Sequence, residues 1–311
     1  MKFTIYQESR AGSRPNNQDR VAYSYTRDSL LMVVADGMGG HLYGEVAAQI
    51  AVQYLIEAFQ RNATPQIADE MMFLSRSLTN AHNAILDYAF DKGLPEAPRT
   101  TVVACVVQNS VAFWAHAGDS RLYLVRRGRT IAQTRDHSRL QLMIDQGLIT
   151  EEEASRHPAR NRIFSCLGGS HSPQIEFSSP MPLFTNDLIA ICSDGVWGNL
   201  EQDEIADAMG EADILAMSPR LLDRAESRGG LTCDNLSIMS MRWHDDYAEE
   251  LPSTVSTATM PIDGITTKME GFQRGRSPDG AVSPLSDVDI EQAIKEINSA
   301  IKKYSKFDPG R

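Results

Sequence analysis

Nine short apolar stretches, each closed by turn-forming residues, restrict what this 311-residue chain can become. They lie at 2–8, 20–26, 30–35, 100–108, 111–118, 121–127, 174–178, 187–193 and 235–243. Runs of this length between turn residues read as strands. Neighbours such as 100–108 and 111–118 leave no room for the crossover that parallel pairing needs, so the sheets are expected to be mainly antiparallel.

Two long segments break the pattern. Val46/Ala47, Ile50/Ala51, Tyr54/Leu55 and Ala58/Phe59 recur at helical spacing across 43–60, as do Met71, Leu74, Leu78, Ala81, Ile85 and Tyr88 across 66–91. Shorter helices are expected at 138–146, 201–209 and 211–226, the second opening from a cap around Asn199. Strand clusters around helical pairs make an α+β sandwich.

With 42% apolar and 23% charged residues, the chain suits one large globular domain. Its net charge of -11 offers no basic face to a nucleic-acid backbone or an anionic membrane, so neither is an expected partner. Cys105, Cys166, Cys192 and Cys233 stand singly, without the paired spacing of a zinc or dithiol site, which fits free thiols in a reducing compartment. The N-terminus lacks a signal-peptide core and no apolar run could span a bilayer, so the expected location is cytoplasmic.

Beyond residue 245 the character changes. Pro252, Pro261, Pro278 and Pro284 among Ser, Thr and Gly mark a linker over 246–285 after a domain of residues 1–245. Residues 286–307 then carry Ile290, Ala293, Ile294, Ile297, Ile301 and Tyr304 on one helical face. Acids lie early and lysines late, with capping-box spacing at Ser286 to Asp289. Such a helix packs on its own domain or binds a protein partner.

Five aspartates each stand at a strand end beside glycine or another small polar residue: Asp19, Asp36, Asp119, Asp194 and Asp234. Singly, each is a turn former. Together they would repel one another unless a cation neutralised them, and an all-oxygen set without a His/Cys cluster favours Mg²⁺ or Mn²⁺ over Zn²⁺. Gly37-Met-Gly-Gly40 lacks the following lysine of a phosphate-binding loop and is read as the turn that presents Asp36.

The pieces Arg14-Pro-Asn-Asn-Gln-Asp19, Asp36-Gly-Met-Gly-Gly-His41 with Gly44-Glu45, Thr100-Thr101, Gly118-Asp-Ser-Arg121, Asp136-His-Ser138, His157-Pro-Ala-Arg-Asn161, Ser193-Asp-Gly195 and Asp234-Asn235 follow one another from residue 14 to 235. In order and spacing they resemble the motif series of the bacterial PP2C (PPM) protein serine/threonine phosphatases. The resemblance implies a central antiparallel β-sandwich flanked by helical pairs, in four α-β-β-α layers. It further implies two Mn²⁺ or Mg²⁺ ions that activate a water to hydrolyse phosphoserine or phosphothreonine in proteins, opposing a Ser/Thr kinase.

By that resemblance Asp36 bridges both ions, Gly37 lends its carbonyl, Asp194 and Asp234 complete one site, Asp19 acts through bound water, and Asp119 helps hold a third, weaker ion. Arg14 grips the substrate phosphate, and 138–173 is a flap beside the site. Three positions depart from the family: Gln18 replaces a common glutamate, Arg99 the usual glycine before the Thr-Thr pair, and Met38 a histidine that eukaryotic relatives offer as general acid. His41, His116 and His137 are the remaining proton-donor candidates, each more simply read as structural. A fold-keeping module that binds phosphoproteins without hydrolysing them is the alternative; it typically loses metal ligands that are present here.

Overall fold

The computed structural model describes residues 1–38, 43–150, 153–154, 157, 162–211, 213–245 and 254–270. In it every strand pair is antiparallel. One sheet runs β12 (Val255–Ser256), β1 (Lys2–Arg10), β11 (Leu236–Trp243), β10 (Leu188–Cys192), β6 (Arg121–Arg126), β7 (Arg129–Gln133). The other runs β13 (Thr266–Glu270), β2 (Arg20–Tyr25), β3 (Ser29–Ala35), β4 (Val102–Gln108), β5 (Val111–Ala117), β8 (Glu176–Phe177), with β9 (Met181–Pro182) also on β5.

Leu30–Ala35 of β3, Val102–Val107 of β4 and all of β10 are apolar without a break because each has two covered faces. In β3, Leu30, Met32 and Val34 point into the core between the sheets, beside Phe3, Trp114, Ile189, Met239 and Trp243. Leu31, Val33 and Ala35 point the other way, onto α1 (Gly44–Asn62) and α2 (Glu70–Asp91). In β10 the alternation repeats: Ile189 and Ile191 face inward, while Leu188, Ala190 and Cys192 meet the opposite helical layer. That layer is α4 (Asp194–Trp197), α5 (Gln202–Met209) and α6 (Ile214–Gly229); α3 (Arg139–Asp145) follows β7. Four α-β-β-α layers result, as the sequence leads one to expect. All four cysteines are free, and no helix among the described residues is long and apolar enough to cross a membrane.

Two local expectations change. Asn199 does not cap α5; its Nδ2 donates to the Gly195 carbonyl at 2.9 Å, closing the short α4, and α5 opens from a capping box in which Glu204 accepts from the Glu201 N–H at 3.0 Å. The segment expected to be a linker over 246–285 contributes edge strands: β12 pairs with β1, and β13 pairs with β2 from Thr266↔Tyr25 to Glu270↔Val21. Both are polar and short, as edge strands commonly are, so they lack the alternating apolar signal. Met269 alone reaches the helical core. The expected helix at 286–307 lies outside the described residues.

This segment ties down the start of the chain. Thr257 N–H donates to the Met1 carbonyl at 3.0 Å, and the N-terminal ammonium donates to Thr257 Oγ1 at 2.8 Å. Thr267 Oγ1 accepts from Gln60 at 2.9 Å and lies 2.8 Å from Ser24 Oγ. A chain ending at residue 246 is therefore expected to melt below one ending at 270. The gap should be about 5 °C, since each kcal/mol lost is worth about 2–4 °C in a domain of this size. Thermal unfolding of the two proteins followed by circular dichroism checks this, and equal melting temperatures would contradict it.

Candidate active site and metal centre

The antiparallel register gathers the aspartates. Arg20 pairs with Ala35 and Val102 with Ala117, so the start of β2, the end of β3 and the end of β5 lie along one edge of their sheet. Cys192 pairs with both Arg121 and Ile238, which does the same for the end of β10 and the starts of β6 and β11. Asp19, Asp36, Asp119, Asp194 and Asp234 occupy those ends. The two edges meet where Ser193 Oγ, just after β10, donates to Asp19 Oδ2 at 2.7 Å, just before β2.

Each position is held by its neighbours. The Asp36 carbonyl accepts from Thr101 N–H and Thr100 Oγ1, both at 2.9 Å, so the Thr-Thr pair fixes the end of β3. Gly37 N–H donates to the Gln18 carbonyl at 3.2 Å, and a methyl on its Cα would lie 2.4 Å from the Gly44 carbonyl oxygen, so only glycine fits. Gly195 is confined in the same way, with a Cβ 1.9 Å from the Asn235 carbonyl oxygen. Asn235 staples the loop before β2: its Nδ2 lies 2.9 and 3.0 Å from the Ala11 and Asn16 carbonyls, and its Oδ1 accepts from Gln18 N–H at 2.8 Å. Asp119 is held through its carbonyl by Trp197 Nε1 at 3.0 Å. The indole is covered by Arg121, 3.6 Å from the ring centre, which forks onto Asp136 with two bonds of 2.8 Å.

Asp19 is fully buried in a polar chain. Its N–H donates to Asn17 Oδ1 at 3.0 Å, Asn17 Nδ2 donates to Ser9 Oγ at 2.7 Å, and Ser9 Oγ lies 2.7 Å from Ser237 Oγ. Its second oxygen, Oδ1, is buried with no hydrogen-bond partner among the described residues. Ser9, Asn17, Ser193, Ser237 and Trp197 are supporting residues that the sequence reading passed over. Ser193 and Asn17 belong to the motif series itself, whereas Ser9 and Ser237 carry no signal beyond an inward polar residue on a strand.

The charges collide. Burial pushes the Asp36 carboxyl well above its ordinary range, and the fields of Asp19, Asp194, Asp119 and Asp234 add to it. Asp119 is raised by burial and then by Asp194 and Asp136. Burial lifts Asp19 to about 6 against the bonds from Ser193 and Ser237, with Asp234 adding to the rise. Arg14 relieves part of this by forking onto Asp234, Nε to Oδ1 at 3.0 Å and Nη2 to Oδ2 at 2.6 Å. The residue expected to grip phosphate thus stands at the rim, paired with one of the acids.

Acceptor-only oxygens crowded until their pKa values rise, one of them buried without a donor, suit a hard divalent cation. Gln18 adds no charge and donates Nε2 to Glu45 at 3.0 Å. His116 and His137 are buried and stacked, ring centres 4.6 Å apart, and are held in place structurally. With Glu176 their ligand atoms fall within 4.8 Å of one another. Yet His137 Nδ1 accepts from Gly118 N–H at 3.3 Å, which leaves the proton on Nε2 facing Glu176 and unfit for a metal. His41 lies outside the described residues.

The sequence profile of protein phosphatase 2C matches residues 7–226. The chain belongs to the protein phosphatase 2C family. It is 32% identical over 227 residues to a putative protein phosphatase 2C-type of Streptococcus pyogenes, covering 72% of this chain and 91% of that one. The crystal structure of the Mycobacterium tuberculosis serine/threonine phosphatase PstP/Ppp superposes with a TM-score of 0.69 at 30% identity, over 78% of this chain and 100% of that one. The catalytic domain of PstP in complex with two manganese ions superposes with a TM-score of 0.65 at 27% identity, over 78% and 100%. This protein phosphatase 2C is an enzyme of protein serine/threonine dephosphorylation, and the alternative of an inactive binding module is not favoured.

A carboxyl whose pKa is higher in the folded chain holds its proton more tightly there, so its contribution to stability is lost as pH rises through the folded value. For Asp19 the window runs from about 4, its unfolded range, to about 6. In a chelator, wild type should lose on the order of 3 kcal/mol relative to Asp19→Asn across that window, from about two units of pKa. Denaturant unfolding of both proteins at several pH values measures it; parallel curves would show that Asp19 titrates normally. The same repulsion predicts a crossover at pH 7: Asp36→Asn should melt above wild type in chelator and below it in millimolar Mn²⁺.

Proposed function

We propose that this phosphatase hydrolyses phosphoserine and phosphothreonine monoesters in proteins, opposing a Ser/Thr kinase, with two Mn²⁺ or Mg²⁺ ions held between Asp36, Gly37, Asp194 and Asp234. Asp19 acts on them through water, and Asp119 helps hold a weaker third ion. The observation that carries this reading is the convergence of five strand-end carboxylates on one edge, with Asp36 in the field of the other four. When bound, the ions lower the pKa of water and offset charge that develops on phosphoryl oxygens.

The chain's own residues supply position. Thr100 and Thr101 hold the Asp36 carbonyl, so the carboxylate keeps its place whether or not substrate is bound. Asp19 Oδ1, buried without a donor, accepts a hydrogen bond from a water and orients it, while Ser193 anchors the other oxygen. Arg14 matches two phosphoryl oxygens with the same fork it now lends to Asp234. Once Arg14 pairs with a phosphoryl group, Asp234 would be free of its fork and could hold a cation.

Turnover of a phosphothreonine peptide should require added Mn²⁺ or Mg²⁺ and vanish in excess EDTA; full activity in EDTA would sink the reading. Arg14→Ala should raise KM about tenfold, the worth of one charge-assisted fork. Because it releases Asp234, the melting shift produced by Mn²⁺ should be undiminished. Loss of that shift would place Arg14 in the metal site.

A further inference from the structure

Beside the carboxylate cluster lies a second concavity that phosphate-ester hydrolysis does not use. It is an open cavity of about 130 Å³ lined by Met38, Arg99, Phe164, Cys166, Ser170 and His171 among others. That is room for roughly four waters, or for the end of one side chain.

Arg99 is fixed in its wall by the same backbone that fixes Asp36. The Arg99 carbonyl accepts from Met38 N–H at 3.0 Å. The next residue, Thr100, bridges Gly37 on one side and Leu167 on the other, with N–H to the Leu167 carbonyl at 3.2 Å and the Leu167 N–H returned at 2.9 Å. The side chain therefore emerges between the turn that carries Asp36 and the segment 162–173.

Its guanidinium is not used up inside the protein. Nε is buried with no hydrogen-bond partner among the described residues, and Nη2 only approaches the exposed Glu96 carboxylate, at 3.9 Å. A buried N–H of a cation left unpaired is costly, and Glu96 is too distant to satisfy it. An anion entering the cavity would meet the accessible part of the Arg99 side chain, which is 31% exposed, with the Ser170 hydroxyl, 3.1 Å from His171 Nδ1, on the same wall. In a chain of net charge -11 whose site is a cluster of carboxylates, an acidic substrate otherwise meets repulsion on approach.

We propose that Arg99 is the specificity-determining residue of a second anion subsite, which binds a carboxylate or a second phosphoryl group carried by the substrate within a few residues of the phosphoserine or phosphothreonine. This rests on the phosphatase reading above and names a substrate class for it: phosphosites in acidic or multiply phosphorylated sequence.

The test uses the full chain with Mn²⁺ and one phosphothreonine peptide in which each of the three positions on either side is changed in turn to Gln, Glu, phosphoserine or Lys. Within wild type, Glu or phosphoserine at one position should raise kcat/KM about tenfold over Gln, mainly through KM. The Glu and phosphoserine arms tell carboxylate from phosphoryl. In Arg99→Gln the ratio should fall to near one, and in Arg99→Glu the Lys peptide should overtake the Glu peptide. Each ratio is taken within one protein, so partial loss of folding or metal cancels, and either variant alone decides. No preference at any position in wild type, or a preference that survives in both variants, overturns the proposal. No turnover of any peptide, the Gln series included, overturns the phosphatase reading with it.

Discussion

Repulsion among five carboxylates at the mouth of the sandwich is the constraint on which the remaining structure depends. Burial and mutual fields raise Asp36 and Asp119 well above the ordinary carboxylate range and Asp19 to about 6. A chain that keeps such a cluster must spend stability elsewhere to hold it together. Here the cost is met by two sheets whose central strands are covered on both faces, and by main-chain and side-chain bonds at Asp19, Asp36 and Asp119.

Much of this was legible in the sequence, for identifiable reasons. Strands such as β3 and β10 are apolar throughout because sheet lies on one side and helix on the other, and that composition survives reading in one dimension. The aspartates were legible because each falls where a strand begins or ends. What was hidden is whatever depends on pairing between distant segments. Polar β7, β12 and β13 take their conformation from a neighbouring strand and carry little periodicity of their own. Asn199 looked like a helix start because the sequence does not show that the Gly195 carbonyl lies nearer to it. Ser9 and Ser237, more than two hundred residues apart, become partners only through the β1–β11 register.

The pairing of Arg14 with Asp234 has a similar lesson. From sequence the two residues receive separate tasks, one toward phosphate and one toward cation. In the folded chain each satisfies the other, a pairing that neither segment shows when read alone. Arg99 differs, since its main chain is committed to the Asp36 turn while its side chain keeps unused donors. A departure from the family pattern at that position changes what lies beside the reaction without disturbing what holds the acids.

The strands that follow β11 also bear on how copies of this protein behave toward one another. After leaving the first sheet, the chain returns as β12 along the outer side of β1 and then as β13 along the outer side of β2, so one passage of backbone occupies the same flank of both sheets. An uncovered β2 would offer Val21 to Tyr25 as a free row of N–H and C=O groups with apolar side chains between them, a template for the corresponding strand of another molecule. At the opposite flank the sheets end in β7, whose first residues are exposed and charged or hydroxylated, and in β8, only two residues long. β12 and β13 thus cover the strand edges that β1 and β2 would otherwise present to another copy.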